Sequence, residues 1–107
     1  MVAHLTQDIF KKEIAESTKP VVIDVYASWC GPCQLMAPIF EEVAQAHSDS
    51  VTFYKLNVDE ERELAAHLNV SSIPMFFFFN KGTLVFTESG FINKGDFEAK
   101  IAKLINS

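Results

Sequence analysis

Cys30 and Cys33 are the only cysteines in a chain of 107 residues. They stand in the stretch Trp29-Cys30-Gly31-Pro32-Cys33. The apolar run Val21-Val22-Ile23 leads in, with Asp24 stranded behind it, and a helical pattern leads out. A strand that ends in a Cys-x-x-Cys pair and opens into a helix is a redox layout. The first thiol then lies at a helix N-terminus, where unpaired backbone N–H groups and the helix dipole favour a thiolate. The thiolate is the nucleophile of disulfide exchange, and a second thiol nearby resolves the mixed disulfide. On this basis Cys30, the outer residue, is expected to attack, and Cys33, one turn in and less exposed, to resolve. Two competing readings are weaker. Structural zinc usually takes four Cys or His ligands, and His4, His47 and His67 are scattered without ligand spacing. A purely structural disulfide here would close a very short loop and constrain the unfolded chain little.

Asp24 is the second candidate. A carboxylate in a buried strand has its pKa raised by desolvation. That suits it to relay a proton for Cys33 during the attack on the mixed disulfide. The alternative is an Asp satisfied by backbone or water. Pro74 follows Ile73 in a loop before a strand. Only about 5–6% of X–Pro bonds are cis in folded proteins, so the residues alone favour trans. Trp29 beside an exposed motif is expected at the rim, its indole shielding Cys30. Pro32 in the first turn pre-organises the helix and supplies no N–H.

The elements that must position these residues follow from periodicity. Val2 to Leu5 reads as a short edge strand. Thr6 is placed to cap a first helix, with Leu5 and Phe10 spaced as a hydrophobic staple. Val21 to Ala27 is nearly unbroken in apolar character, as in a central strand buried on both faces. Met36, Phe40, Val43 and His47 recur at helical spacing, and Pro38 inside that helix is expected to kink it near Gln34. Val51 to Val58 is a strand, with Tyr54 and Leu56 facing opposite to Phe53 and Lys55. Asp59 is expected to cap a helix over Glu60 to Leu68. Met75 to Phe79 is a buried strand, Asn80-Lys81-Gly82 a turn, and Thr83 to Glu88 its hairpin partner. Asn93 with Asp96 opens the last helix, whose buried stripe is Phe97, Ile101, Leu104 and Ile105. The order (β)αβαβαββα predicts an α/β protein with a mixed sheet and helices on both faces.

Composition narrows the function classes. The chain is expected to be one domain over residues 1–107. Its net charge of −5 argues against nucleic acid or an anionic membrane as partner. No stretch approaches the roughly 20 apolar residues of a membrane span. Met1 to Phe10 lacks a basic region followed by an apolar run, so no secretory signal is expected. Two cysteines without a signal point to a reducing compartment and a working dithiol.

The stretch Val22-Ile23-Asp24-Val25-Tyr26-Ala27-Ser28-Trp29-Cys30-Gly31-Pro32-Cys33 closely resembles the active-site segment of the thioredoxin family. The resemblance covers nearly the whole chain, and thioredoxin is itself a standard example of this motif. It implies the thioredoxin fold, a central mixed β-sheet flanked by helices. It puts the family's buried acid at Asp24, its neighbouring lysine at Lys55, its cis-proline at Pro74 and its partner-approach glycine at Gly90. A cis bond there would leave Ile73 backbone groups open to an extended substrate segment. Trp29, Gly31, Pro32, Ile73, Pro74 and Gly90 would together form a flat apolar docking patch. The implied activity is general protein-disulfide reduction in the cytoplasm by a monomer. It would use no bound cofactor or metal, only the Cys30–Cys33 disulfide, restored by thioredoxin reductase drawing on NADPH. Implied substrates are ribonucleotide reductase, peroxiredoxins and methionine sulfoxide reductase. Two alternatives stand beside it: a disulfide oxidase or isomerase, and a thioredoxin-fold binding subunit whose dithiol is unused. Three positions depart from the family's common pattern: Tyr26 where many members carry Trp, Gln34 where many bacterial members carry Lys, and Ser89 where an apolar residue is common.

Overall fold

The middle strand of the sheet, β2 (Val21–Tyr26), has two strands on either side and apolar layers on both faces. The structure, a computed structural model, describes residues 2–107. Five strands form one sheet in the order β1-β3-β2-β4-β5. They are β1 (Ala3–His4), β2, β3 (Thr52–Asn57), β4 (Met75–Asn80) and β5 (Thr83–Ser89). β1 and β2 run parallel to β3, while β4 is antiparallel to both β2 and β5. This is the mixed sheet expected from two crossovers followed by a hairpin.

Helices α1 (Gln7–Ala15) and α3 (Arg62–His67) cover one face, and α2 (Gly31–Ala46) and α4 (Lys94–Ile105) the other. Alternation along the strands divides the core accordingly. Val21, Ile23, Val25, Tyr54, Leu56, Phe77 and Phe79 pack towards Ile14 and Leu64. Val22, Phe53, Phe76 and Phe78 pack towards Met36, Phe40, Phe97 and Ile101. Asp24 shares the parity of Val22, so its carboxyl falls on the α2 side.

Local signals hold most of these boundaries. Thr6 occupies the α1 cap position, though its side chain makes no capping bond. Asn93 accepts from the Asp96 N–H at 2.8 Å and caps α4. The β4–β5 loop is Lys81-Gly82, with φ of 52° and 80°, the primed-turn geometry that matches strand twist. A Cβ on Gly82 would also lie 3.1 Å from the Ala15 carbonyl oxygen.

Two expectations are corrected. α3 starts at Arg62 rather than Glu60, and Asp59 does not cap it. Asn57 takes over that stretch: its side-chain oxygen accepts from the Asp59 N–H at 2.9 Å, and its carbonyl accepts from the Glu61 N–H at 2.9 Å. The chain makes an Asx turn there before a helix can begin. Ile105 is 41% exposed rather than part of the α4 stripe. It is the last residue of α4, whereas its neighbour Leu104 is fully buried.

Phe97 joins α4 to the core, fully buried, with ring centroids 5.8 Å from Phe40, 5.5 Å from Phe76 and 6.2 Å from Phe78. Replacing it by Ala is expected to cost about 3–5 kcal/mol, since so enclosed a site collapses little. Urea denaturation measures this; a loss under about 1 kcal/mol would mean that α4 is not anchored through this ring.

Candidate functional site

The topology brings three separate loops to one end of the sheet. Val25 at the end of β2 pairs with Met75 at the start of β4, and Met75 pairs with Ser89 at the end of β5. The Cys30 loop leaves β2 there, the Ile73-Pro74 loop enters β4 there, and Gly90 follows β5 there. The Ile73–Pro74 bond is cis, and the Pro74 carbonyl accepts from the Gly90 N–H at 2.8 Å. Gly90 has φ of 88°, a conformation that other residues rarely adopt. The loop before Pro74 is fixed at its far end by a Schellman motif: Asn69 has φ of 57°, its N–H donates to Ala66, and the Val70 N–H donates to Ala65.

Cys30 is the cap residue of α2 and Cys33 lies in its first turn. The two are joined as a disulfide, with Cα atoms 5.2 Å apart. Cys30 Sγ accepts from the Cys33 backbone N–H at 3.2 Å. A thiolate at this atom would receive the same N–H and the positive end of the helix dipole. In the disulfide form exposure hardly separates the pair, at 6% for Cys30 and 4% for Cys33. Their surroundings do separate them. Cys33 lines a small cavity of about 100 Å³ that Asp24, Lys55 and Gln34 also line, and Cys30 does not.

Asp24 is 2% exposed, and its Oδ1 has no hydrogen-bond partner among the described residues. Burial pushes its carboxyl from the ordinary 3.8 up to about 7, and the positive charge of Lys55 pulls in the other direction. Lys55 stands opposite Asp24 in the β2–β3 ladder. Its ammonium lies over the Tyr26 ring, 4.8 Å from the centroid, an arrangement favoured by the ring quadrupole. Its attraction for Asp24 is therefore that of a neighbour rather than a contact, and desolvation wins.

The rim is apolar. Trp29 is 69% exposed, and Gly31 and Pro32 are exposed beside it. Ile73 packs against Ala27, Cys30 and Cys33. A groove of about 260 Å³ runs between Trp29, Val58, Val70 and Ile73. One residue here was missed from the sequence: Asp59 accepts a hydrogen bond from the Trp29 indole at 2.9 Å and holds the ring at the rim. Its only sequence signal is an acid just after the β3 strand, which equally suits a helix cap.

The Thioredoxin family model matches residues 1–103. This chain belongs to the thioredoxin family. It is 43% identical to a thioredoxin of Alicyclobacillus acidocaldarius subsp. acidocaldarius over 94% of this chain and 95% of that protein. It is 40% identical to thioredoxin 1 of Synechococcus elongatus, over 88% of each. The crystal structure of Malassezia sympodialis thioredoxin (Mala s 13) matches with a TM-score of 0.88 at 34% identity, covering 97% of this chain and 93% of that one. Thioredoxins are disulfide oxidoreductases that work by dithiol–disulfide exchange on a cysteine pair rather than a bound cofactor, and the Cys30–Cys33 pair fits that chemistry. Among the described residues no group of three or more His, Cys, Asp or Glu is placed to hold a metal ion, and no helix is long and apolar enough to cross a membrane.

The raised Asp24 pKa makes stability depend on pH. Between about pH 4 and pH 7 the folded protein keeps a proton on Asp24 that the unfolded chain has lost. Stability therefore falls as pH rises through that window and levels off above it. One pKa unit is about 1.4 kcal/mol, so the full cost at pH 8 is up to about 4 kcal/mol. Asp24→Asn in the disulfide form is expected to be more stable than the parent at pH 8 by an amount of that order. The gain should shrink towards zero near pH 4. Equal gains at both pH values in urea denaturation would show that titration of Asp24 is not their source.

Proposed function

We propose that this thioredoxin is a general protein-disulfide reductase in which Cys30 attacks, Cys33 resolves and Asp24 takes the Cys33 proton. The observation that carries the assignment of roles is the shared cavity: Cys33 and Asp24 line it, whereas Cys30 sits at the cap of α2 with its sulfur on a backbone N–H. In the reduced protein the Cys30 thiolate attacks one sulfur of a substrate disulfide. A Cys30–substrate bond forms, and the other substrate sulfur leaves as a thiolate that takes a proton from solvent. Asp24 then accepts the Cys33 proton. The Cys33 thiolate attacks Cys30 Sγ, the intramolecular disulfide forms, and the second substrate sulfur departs with the remaining electron pair. Two electrons have passed from the dithiol to the substrate.

Docking follows from the rim. Ile73 lies outside the ladder, which begins at Met75, so its backbone is placed to pair with an extended substrate segment. Trp29, Gly31, Pro32, Pro74 and Gly90 supply the apolar ground around it. Lys55 tunes Asp24 from across the ladder. Thioredoxin reductase, drawing on NADPH, is the partner we assign to restore the dithiol. Ribonucleotide reductase, peroxiredoxins and methionine sulfoxide reductase are the substrates the family suggests, and a monomer in the cytoplasm is the setting.

Three measurements test this. An equilibrium redox titration followed by Trp29 fluorescence is expected to place the pair near or below the cytosolic glutathione poise; a potential well above it would make the protein a disulfide donor. Cys30→Ser is expected to abolish substrate reduction, and Cys33→Ser to accumulate mixed disulfides. If Cys30→Ser still turned over disulfides, the roles would be wrong. Asp24→Asn bears on the relay alone. A thiol of ordinary pKa is only about 3% ionised at pH 7, so losing the relay is expected to slow resolution by up to about 30-fold.

A further inference from the structure

We propose that Gln34 is a positioning residue for the Asp24 proton: its carboxamide, latched to the Ser28 carbonyl, is a lid on the cavity through which that proton passes between Cys33 and solvent. This rests on the relay role given to Asp24 above.

The cavity has an inner and an outer end. Asp24, Ala27 and Cys33, which line it, are buried, while Ser28 and Gln34, which also line it, are exposed. Tyr26, Ala37 and Lys55, which complete the lining, are half-buried, so the Ser28–Gln34 side is the most exposed one. There Gln34 Nε2 donates to the Ser28 carbonyl at 2.8 Å. The Gln34 backbone is fixed in α2 by its N–H bond to the Cys30 carbonyl at 3.1 Å, so opening requires only that the side chain swing. Holding a long exposed side chain in one rotamer costs conformational freedom, and this bond is what offsets it.

The inner end needs such a route. Asp24 Oδ1 lacks a protein donor among the described residues. A volume of about 100 Å³ is roomy enough to admit water. The other groups facing Asp24 offer no better exit. Lys55, on β3, has its ammonium over the Tyr26 ring. Phe76, the β4 neighbour, carries no ionisable group. Cys33, on α2, is the source of the proton, and the Tyr26 hydroxyl titrates far above neutral pH. After each turnover Asp24 must release the Cys33 proton to solvent to become a carboxylate again. The closed latch narrows the most exposed side of the cavity and helps keep the carboxyl desolvated. Swinging it aside lets the proton leave.

The test follows the Asp24 carboxyl by carbon NMR across pH in the full-length disulfide form. Four proteins are compared: the parent, Gln34→Ala, Gln34→Met and Leu35→Ala. Gln34→Ala removes the lid. Gln34→Met keeps its length but has no donor for Ser28, so it removes the latch. Both are expected to lower the Asp24 midpoint by about half a pH unit or more, because the group becomes better solvated. Both are also expected to move the pH profile of the resolving step by the same amount. Leu35 is 68% exposed and does not line the cavity, so its variant is expected to titrate as the parent does. An unchanged or raised midpoint in either Gln34 variant would overturn the proposal. If Asp24→Asn leaves the resolving step unaffected while the Gln34 variants still lower the midpoint, the relay is overturned and the lid over the carboxyl is supported.

Discussion

A single carboxyl group buried in the central strand sets the terms for the rest of this molecule. Asp24 stands where the alternation of β2 calls for an apolar side chain, between Lys55 on one neighbouring strand and Phe76 on the other. At neutral pH the group is poised between its two forms, and its ionised form is the costly one. A fold of this size has little net stability to give up. The site is tolerable because both faces of the sheet around it are densely apolar, with Phe40, Phe76, Phe78 and Phe97 packed into one layer on the Asp24 side. The aromatic core is thus what lets a functional group sit in a place unfavourable to folding.

The same strand delivers the chemistry. β2 ends at Tyr26 and α2 begins at Gly31, so the cysteine pair forms the join between sheet and helix. Cys30 receives the field of the helix N-terminus, and Cys33 faces back towards the acid carried on the strand. Antiparallel pairing with β4 then returns the chain, through Pro74, to this end of the sheet, and β5 adds Gly90 by the hairpin. The cysteine pair, the buried acid and the Pro74 and Gly90 loops are collected without any long insertion. Their relative positions are held by ladder hydrogen bonds and the Gly90–Pro74 bond rather than by flexible side chains.

Much of this was legible in the sequence because it depends on local pattern. The element order, the two-faced burial of β2, the facing of Tyr54 and Leu56 against Phe53 and Lys55, and the Asn93 cap follow from periodicity and short-range hydrogen bonding. The cis geometry at Ile73–Pro74 was not legible from the residues, since a proline after isoleucine is ordinarily trans; only resemblance to the family suggested it. Asp59 was misassigned because an acid before a helix has two uses. Asn57 had already taken the turn, which freed Asp59 to meet the Trp29 indole, thirty positions away in the chain. Ile105 is likewise exposed as the last residue of α4, where helical spacing alone predicted burial.

The positions at which this chain departs from the common family pattern gain a physical meaning from their placement. Ser89 closes the β4–β5 ladder opposite Met75, where it acts through its backbone. Tyr26 and Gln34 both line the cavity that Asp24 and Cys33 share. Tyr26 offers a ring face to Lys55, drawing the ammonium into a contact other than the carboxylate. A neutral Gln34 adds no positive charge at the cavity mouth. Both features leave the acid less compensated than a close cation would, and both therefore act in the direction that keeps its proton on. Variation in the walls around a fixed set of reacting groups is a route to different proton-transfer properties on an unchanged disulfide chemistry. The sulfur atoms decide what reaction occurs; on the proposed relay, the residues that decide how readily Asp24 changes charge would set the pH at which Cys33 is ready to resolve it.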